Sequence, residues 1–180
     1  MRLALSRLLA VGHVKRWHMV RVLREQTLGE HLARVQLIAM DVIDEYDPHN
    51  DALRLCTMQW ALWHDMPEVV TGDVSPPYKS MLREKDHCIL RNIDESVDER
   101  FKSLSNESGE IAQTIVKFAD MAEAVHFLSE DGFGRRTDEI KRNIDYGVKS
   151  LLAATRAAML DKLATAMNVT YGKLIHENSV

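Results

Sequence analysis

Residues 28–46 read LGEHLARVQLIAMDVIDEY, and this stretch decides the fold class. The apolar positions that recur through it are Leu28, Leu32, Val35, Ala39 and Val42. Their intervals alternate between four and three residues, which places them on one face of an α-helix. The pair Asp47-Pro48 ends the pattern, because a residue before proline avoids the helical conformation. The stretch therefore predicts a long helix with one apolar face turned toward a core.

Helical spacing continues through most of the remaining chain. Residues 13–27 are mixed and basic and predict an irregular segment, and 66–77 predict a short helix or turn before an ordered loop. Further helices are expected at about 2–11, 51–65, 78–103, 109–130, 137–157 and 159–168. Only 8 Gly and 4 Pro occur in 180 residues, fewer than a barrel or sandwich needs. The sequence predicts an all-α fold, a compact bundle of seven or so helices with essentially no sheet, formed as a single domain over residues 1–180.

The composition excludes several classes of function. Apolar residues make up 46% and charged residues 28%, a balance typical of a folded domain rather than a disordered chain. The net charge is −4, so nothing favours binding to a nucleic-acid polymer or an anionic membrane. No window approaches the roughly 18 uninterrupted apolar residues of a membrane span. We expect a cytoplasmic location. We also expect a homo-oligomer, since the helical apolar surface of residues 144–160 is larger than a monomer usually exposes.

Two histidines and two aspartates stand on predicted inward faces: His31, His64, Asp65 and Asp120. A carboxylate on an apolar helix face requires a cation or several hydrogen-bond donors. Two imidazoles and two carboxylates around one divalent ion meet that requirement, because the ligand charges cancel the metal charge. The alternative is that the histidines are hydrogen-bonded core residues. The pattern predicts a divalent metal site between helices, for Zn²⁺, Co²⁺ or Mn²⁺.

Two further acids follow the aspartate of the His64-Asp65 pair, and neither is needed to neutralise a metal. Glu68 comes three residues after Asp65, and Asp73 comes eight residues after it. A spare carboxylate beside a metal site is suited to act as a general acid or base, or to orient water. The alternative for Glu68 is a first-turn acid on a helix opened by Pro67.

Cations near the same segment point to an anionic substrate, for which phosphate is the obvious candidate. The candidate residues are Arg16, Lys79 and, more weakly, Lys117. Each would otherwise be a solvated surface charge. Trp17, beside Arg16, is either ordinary core or an apolar wall for a sugar or base.

The ordered set resembles the HD superfamily of metal-dependent phosphohydrolases, and more closely the bacterial HD-domain 5′-deoxynucleotidases and their small bacteriophage relatives. The motifs that carry the resemblance are Arg16-Trp17, Glu30-His31, His64-Asp65 with Glu68, Thr71-Gly72-Asp73, Pro77 with Lys79, and Lys117 with Ala119-Asp120. They fall within about residues 5–130, and the remainder matches in helical character only. Some of the phage relatives hydrolyse deoxyadenosine triphosphate to deoxyadenosine and triphosphate.

The resemblance implies a fold of HD-domain type and a metal-centred active site. It implies that His31, His64, Asp65 and Asp120 hold the metal. Glu68 would then position or activate the attacking water, or protonate the leaving oxygen.

The resemblance also implies how the substrate is held. Arg16 and Lys79 would grip phosphate, and Lys117 is a weaker candidate for the outer phosphates. Asp73 would lie near the α-phosphate and the sugar hydroxyl. Trp17 would pack where a ribose 2′-hydroxyl would otherwise sit, which favours deoxyribose.

These expectations describe an enzyme that hydrolyses 2′-deoxynucleotides at the α-phosphorus and helps to control nucleotide pools. A monophosphate would yield deoxynucleoside and phosphate, and a triphosphate, with dATP the leading candidate, would yield deoxynucleoside and triphosphate. An additional Mg²⁺ could accompany the phosphates. The homo-oligomer would be a dimer or a hexamer, in the bacterial host cytoplasm if the chain is phage-encoded. Two alternatives stay open: a non-catalytic helical metal-binding interaction module, and an HD hydrolase of another phosphoester.

Overall fold

The computed structural model describes residues 2–176, except for the side chains of Pro76, Pro77 and His176, so the side chain of the motif residue Pro77 lies outside the description. The helices are α1 (Leu5–Leu8), α2 (Leu28–Tyr46), α3 (Asp51–Trp63), α4 (Glu68–Thr71), α5 (Pro76–Lys85), α6 (Ile89–Val97), α7 (Glu99–Glu107), α8 (Gly109–Glu130), α9 (Arg135–Ala157) and α10 (Asp161–His176). A 3-10 turn, Leu9–Gly12, follows α1. Residues 2–176 contain no β-strand, only two isolated bridges. The predicted all-α fold is confirmed.

Helix α2 begins and ends at the predicted residues. The Thr27 hydroxyl accepts a hydrogen bond from the N–H of Glu30 at 3.2 Å, which satisfies one of the free N–H groups at the helix start. The apolar face predicted from the sequence is buried, and each leucine or valine on it contributes roughly 1.5–3 kcal/mol. This face packs against α3, α8 and α10 and holds His31, in the first turn, inside the protein.

Helix α8 is central to the core and contacts α2, α3, α9 and α10. Its bounds also agree with the prediction. Small buried residues such as Ala119 and Ala122 let the neighbouring helices approach closely, and the fully buried Phe118 fills the space between them. Asp120 and Glu123 lie one turn apart on this helix, so α8 brings two acids toward α2.

The helix predicted over residues 78–103 is wrong, because the chain forms α5, α6 and α7 instead. An aspartate in extended conformation stands at each break. The Asp86 side chain accepts from the N–H of Cys88 at 2.8 Å, and Asp98 accepts from the N–H of Arg100 at 2.8 Å. Aspartate side chains compete with the helical backbone for such donors and favour caps and turns. Two local caps thus override helical periodicity.

Other bounds differ less. The predicted helix at 2–11 is α1 followed by the 3-10 turn, and α10 continues to His176 rather than ending near 168. Helix α3 ends at Trp63, which leaves Asp65 in the turn before α4. No described helix combines the length and the apolar character that crossing a bilayer demands.

The irregular segment 13–27 is confirmed, and it is pinned at two places. At its base the N–H of Arg16 donates to the carbonyl of Gln26 at 2.9 Å, beside an isolated bridge between Lys15 and Thr27. Farther along, Val22 forms a bridge with Gly132, at the corner between α8 and α9. A Cβ atom at residue 132 would lie 2.6 Å from the Leu128 carbonyl oxygen, so this close approach requires glycine. The first attachment closes the base of the segment, and the second ties it to the C-terminal end of α8.

Candidate metal centre

The four residues predicted as metal ligands come together in the structure. His31 comes from the first turn of α2, His64 caps α3, Asp65 follows it, and Asp120 comes from the middle of α8. One ligand atom from each lies within 4.8 Å of all the others. Residues far apart in sequence therefore form one cluster that could hold a metal ion.

The two imidazoles are oriented as metal-binding imidazoles must be. His64 Nδ1 lies 2.8 Å from the carbonyl oxygen of Ala61, to which it donates, and His31 Nδ1 lies 2.8 Å from Oε2 of Glu123. Both Nε2 atoms are buried and have no hydrogen-bond partner. A buried polar atom without a partner is costly, and a metal ion accepting these two lone pairs removes that cost. The donor set fits a divalent cation.

The carboxylates lie close to the same imidazole atoms. His31 Nε2 is 3.3 Å from Oδ1 of Asp120 and 3.6 Å from Oδ2 of Asp65. Burial and the Arg16 guanidinium lower the pKa of His31, but these two carboxylates and that of Glu123 outweigh them and raise it to about 10. Without a cation the His31 ring therefore carries a positive charge, and a divalent cation would replace the proton on Nε2 for the same electrostatic reason.

A buried carboxyl group stands beside the cluster. Glu68 opens α4, with Oε1 at 3.1 Å from Nζ of Lys79 and Oε2 at 3.8 Å from Nη1 of Arg16. Burial, followed by the negative charge of Asp65, raises the pKa of Glu68 to about 8, although Lys79 and Arg16 oppose the shift. A carboxyl group that can hold a proton near neutral pH is suited to general acid–base chemistry.

Arg16 connects this carboxyl group with the predicted ligands. Its Nη1 is 3.2 Å from Oδ2 of Asp65, and only 11% of its side chain is exposed. Burial lowers the pKa of Arg16, but Asp65, Asp120 and Glu68 together raise it well above its ordinary value. The guanidinium is therefore a permanent charge fixed at the site.

Three other predicted residues remain: Asp73, Trp17 and Lys117. Gly72 follows α4 with a φ of 73°, and Asp73 comes next. The Oδ2 atom of Asp73 is 3.6 Å from Nδ1 of His18. Trp17 is half-buried at the rim, next to Arg16. Lys117 is exposed on α8, one turn before Asp120, and lines neither of the two cavities described below.

A cavity of about 360 Å³ opens from the cluster between α4, α5 and α6. The predicted site residues that line it are His64, Asp65, Glu68 and Lys79. Arg83 and Asp94 also line it and were not predicted from the sequence. Burial and Asp65 raise the pKa of Asp94 to about 6, against Lys79. The spacing of Lys79 and Arg83, four residues apart on α5, could have identified the arginine. A second cavity of about 320 Å³ lies beside Arg16 and Trp17.

Two buried residues next to the predicted ligands were not predicted from the sequence. Glu123, 1% exposed, contacts His31, and Gln26, fully buried, donates to Glu123 at 2.6 Å. Glu123 follows Asp120 by three residues, so its position on the same helix face was a usable signal. Gln26 gave none, since its partner is 97 residues away.

Comparisons with known proteins identify the family of this chain. Residues 4–131 match the family model described as 5′-deoxynucleotidase YfbR-like. The chain is 28% identical over 159 residues to a dATP triphosphohydrolase of Acinetobacter phage SH-Ab 15497, covering 83% of this chain and 77% of that protein. It is 30% identical over 135 residues to a dATP triphosphohydrolase of Cyanophage S-2L, covering 74% of each.

A solved structure shows the same fold. The Cyanophage S-2L HD phosphohydrolase DatZ, bound to dA and one catalytic Zn²⁺ ion, superposes with a TM-score of 0.84 at 22% identity, over 98% of this chain and 99% of that one. The family model covers nearly the span over which the motifs resemble the HD-domain 5′-deoxynucleotidases, so that resemblance is confirmed. The chain belongs to the YfbR-like family of HD phosphohydrolases.

Proposed function

We propose that this chain is a metal-dependent phosphohydrolase that cleaves the 5′ phosphoester of 2′-deoxynucleotides, with dATP the leading substrate. One observation carries the proposal: two unpartnered imidazole nitrogens and two carboxylates converge beside a buried carboxyl group and two cations. A structural metal site needs only the ligands. The names of the phage relatives, dATP triphosphohydrolase, support this substrate.

His31, His64, Asp65 and Asp120 would hold the metal. We propose Zn²⁺, with Co²⁺ and Mn²⁺ as alternatives that the same ligands accept. When bound, such an ion supplies Lewis-acid chemistry that offsets phosphate charge and activates water. An additional Mg²⁺ could accompany the nucleotide phosphates.

Glu68 supplies the mobile proton in this proposal. Water attacks the α-phosphorus, the bond from phosphorus to the 5′-oxygen breaks, and that oxygen needs a proton to leave as a neutral alcohol. The raised pKa of Glu68, about 8, means that the carboxyl group can donate this proton at neutral pH. Positioning the attacking water is the alternative role for the same group.

Fixed cations complement the substrate charge. Arg16, buried beside Asp65, and Lys79, beside Glu68, provide positive charge at the place where negative charge develops on phosphorus. Arg83 continues the row from Lys79 along the cavity wall, which suits a chain of three phosphates better than one. Asp73 would lie near the α-phosphate and sugar. Lys117 is too exposed to add to this grip without a movement of substrate toward it, and stays the weakest candidate.

Trp17 would face the sugar. Its half-buried indole borders the second cavity next to Arg16, where it would fill the space that a ribose 2′-hydroxyl needs. We also propose, on sequence grounds, a single domain, a cytoplasmic location and assembly as a dimer or hexamer. Large exposed apolar side chains such as Leu37, Leu55 and Tyr146 support the assembly.

A product assay tests the function. Purified protein would be offered each deoxynucleotide as mono- and triphosphate, with and without a chelator, and the released phosphate species would be identified. The proposal expects deoxyadenosine and intact triphosphate from dATP, and no turnover with the chelator. Release of phosphate from the outer end of the chain, or no release from any deoxynucleotide, would contradict it and favour another phosphoester or a non-catalytic module.

A further inference from the structure

Four side chains form one chain of hydrogen bonds from the rim of the site to a predicted metal ligand. The Nε1–H of Trp17 donates to Oε1 of Gln26 at 2.7 Å, and the Gln26 amide donates to Oε1 of Glu123 at 2.6 Å. Oε2 of Glu123 lies 2.8 Å from Nδ1 of His31. Gln26, Glu123 and His31 are buried, so water does not compete for these bonds.

The indole N–H of Trp17 and the carboxylate of Glu123 determine which group donates in each of these hydrogen bonds. An indole N–H only donates, so the carbonyl of Gln26 must face Trp17 and its amide must face Glu123. A carboxylate only accepts, so the proton of His31 must sit on Nδ1. Its Nε2, which has no hydrogen-bond partner, is then the ring atom that a cation would bind in place of a proton. The orientation of a residue at the rim is thus consistent with one tautomer of a metal ligand.

Trp17 also needs to be held. Its backbone adopts a φ of 66°, a conformation that costs a non-glycine residue roughly 1–3 kcal/mol. The indole stacks on Phe127 with ring centroids 5.9 Å apart and planes 9° from parallel. The stack fixes the plane of the indole, and the bond to Gln26 fixes its rotation within that plane. Loss of that bond would release one of the two constraints.

We propose that Gln26 and Glu123 are positioning residues that couple the wall at Trp17 to the metal ligand His31. The sugar-facing role of Trp17 rests on the proposed function, whereas the link to the metal rests on the hydrogen bonds. A 2′-hydroxyl that displaces the indole would also disturb His31. Discrimination against ribonucleotides would therefore appear in kcat as well as in KM.

Glu123→Gln tests the link at its centre. The new amide keeps the shape of the side chain, but it cannot accept from both Gln26 and His31 while its own N–H groups are satisfied. Zinc affinity should fall about 10–100-fold, measured without nucleotide by competition with a chromogenic chelator. The ratio of kcat/KM for dATP over ATP should fall with it.

Exchanging the two groups provides the decisive variant. In Gln26→Glu combined with Glu123→Gln, the indole donates to a carboxylate, that carboxylate accepts from the amide, and the amide carbonyl accepts from His31. The direction of the chain is restored, so zinc affinity and sugar discrimination should both recover relative to Glu123→Gln. A merely structural role for the pair predicts no such recovery.

A matched pair of glutamine variants completes the test. Gln26→Met should lower both the zinc affinity and the preference for dATP over ATP. Gln36→Met should change neither, because Gln36 lies on α2 and donates to the Met58 carbonyl, which is not part of this series of hydrogen bonds. Unchanged zinc affinity in Glu123→Gln, or an exchanged variant that melts like wild type yet binds zinc no better than the single variant, would overturn the coupling. If wild type hydrolyses no deoxynucleotide while zinc affinity follows the expected order, the proposed function fails and the coupling to the metal stands.

Discussion

The two sides of the metal centre are built differently. On the side of α2 and α8, the fully buried His31 is joined by short hydrogen bonds to the buried side chains of Glu123 and Gln26. On the side of α4, α5 and α6, Lys79 keeps 29% of its side chain exposed and Arg83 is exposed at a cavity. The difference suits two tasks: one side would hold metal ligands in a fixed geometry, and the other would adjust to a flexible phosphate chain.

The largest effect is expected where the two sides meet, at Asp65. Asp65→Asn removes a charge that is close to His31, to His64 and to Arg16 at once. Zinc binding and turnover should be lost together, as metal content by elemental analysis and product release would show. Asp138→Asn, at an exposed position of α9, is the control and should change neither. Zinc retained at full stoichiometry in Asp65→Asn would remove this residue from the ligand set.

Glu68→Gln should separate chemistry from metal binding. Zinc content should stay at the wild-type level while kcat falls about 10²–10⁴-fold, the usual contribution of a positioned acid or base. Because the pKa of Glu68 is raised to about 8, its protonated fraction is lost as pH rises through that value. The kcat of the wild type should therefore decline above about pH 8, and the variant should lack that decline. A variant with wild-type kcat would end the role given to Glu68.

Arg83→Ala probes the exposed side alone. Removal of this guanidinium should raise KM for a deoxynucleoside triphosphate on the order of ten-fold, since hydrogen bonds to charged groups contribute about 1.5–3 kcal/mol, with the lower end suited to an exposed group. KM for a monophosphate should change less. Arg91→Ala, an exposed arginine of α6 paired with Glu95, is the matched control. Equal changes for both substrates would show that Arg83 does not contact the outer phosphates.

The smallest effect concerns the framework of the exposed side. Asp98 accepts hydrogen bonds from the backbone of Leu3 and from the backbone and side chain of Arg100, at the junction of α6 and α7. Asp98→Asn should lower the free energy of unfolding at pH 7 by about 1–2 kcal/mol, measured in urea. Asp86→Asn, at the exposed break between α5 and α6, should cost less.

The same variant has an expected pH dependence. Burial raises the pKa of Asp98, but its bonds to Arg100 and Leu3 outweigh burial and lower it to about 2. The stabilisation is therefore complete above the unfolded value of 3.8 and is lost as pH falls toward 2. Wild type and Asp98→Asn should converge in stability over that interval. A constant difference down to pH 2 would show that the charge of Asp98 is not the stabilising factor.

A feature of this protein can be predicted when the residues that determine it are neighbours in the sequence. Helices α2 and α8 carry their apolar spacing within their own residues, and their bounds agree with the prediction. The breaks at Asp86 and Asp98 are also local, but periodicity alone hides them, because a capping aspartate looks like one more polar residue on a helix surface.

The metal cluster was predictable because its members are polar residues on apolar faces. His31 and Asp120 violate the helical pattern visibly, whereas the partnership of Gln26 with Glu123 exists only once the chain has folded. Lys117 shows the opposite case: its place in the motif order suggested a substrate contact, and the structure leaves it exposed on α8. The predicted roles of the site residues stay predictions until the variants are measured.

Gly132 lines neither of the two cavities and is not one of the predicted metal ligands. It nevertheless limits which residues the sequence can carry at the corner between α8 and α9. Any side chain there would push against the Leu128 carbonyl and the Thr137 methyl group, and would force apart the corner onto which Val22 is bridged. The segment bridged there is the one that carries Trp17. Among related sequences that are selected for sugar discrimination, most positions of that corner should accordingly vary. Position 132 should stay glycine.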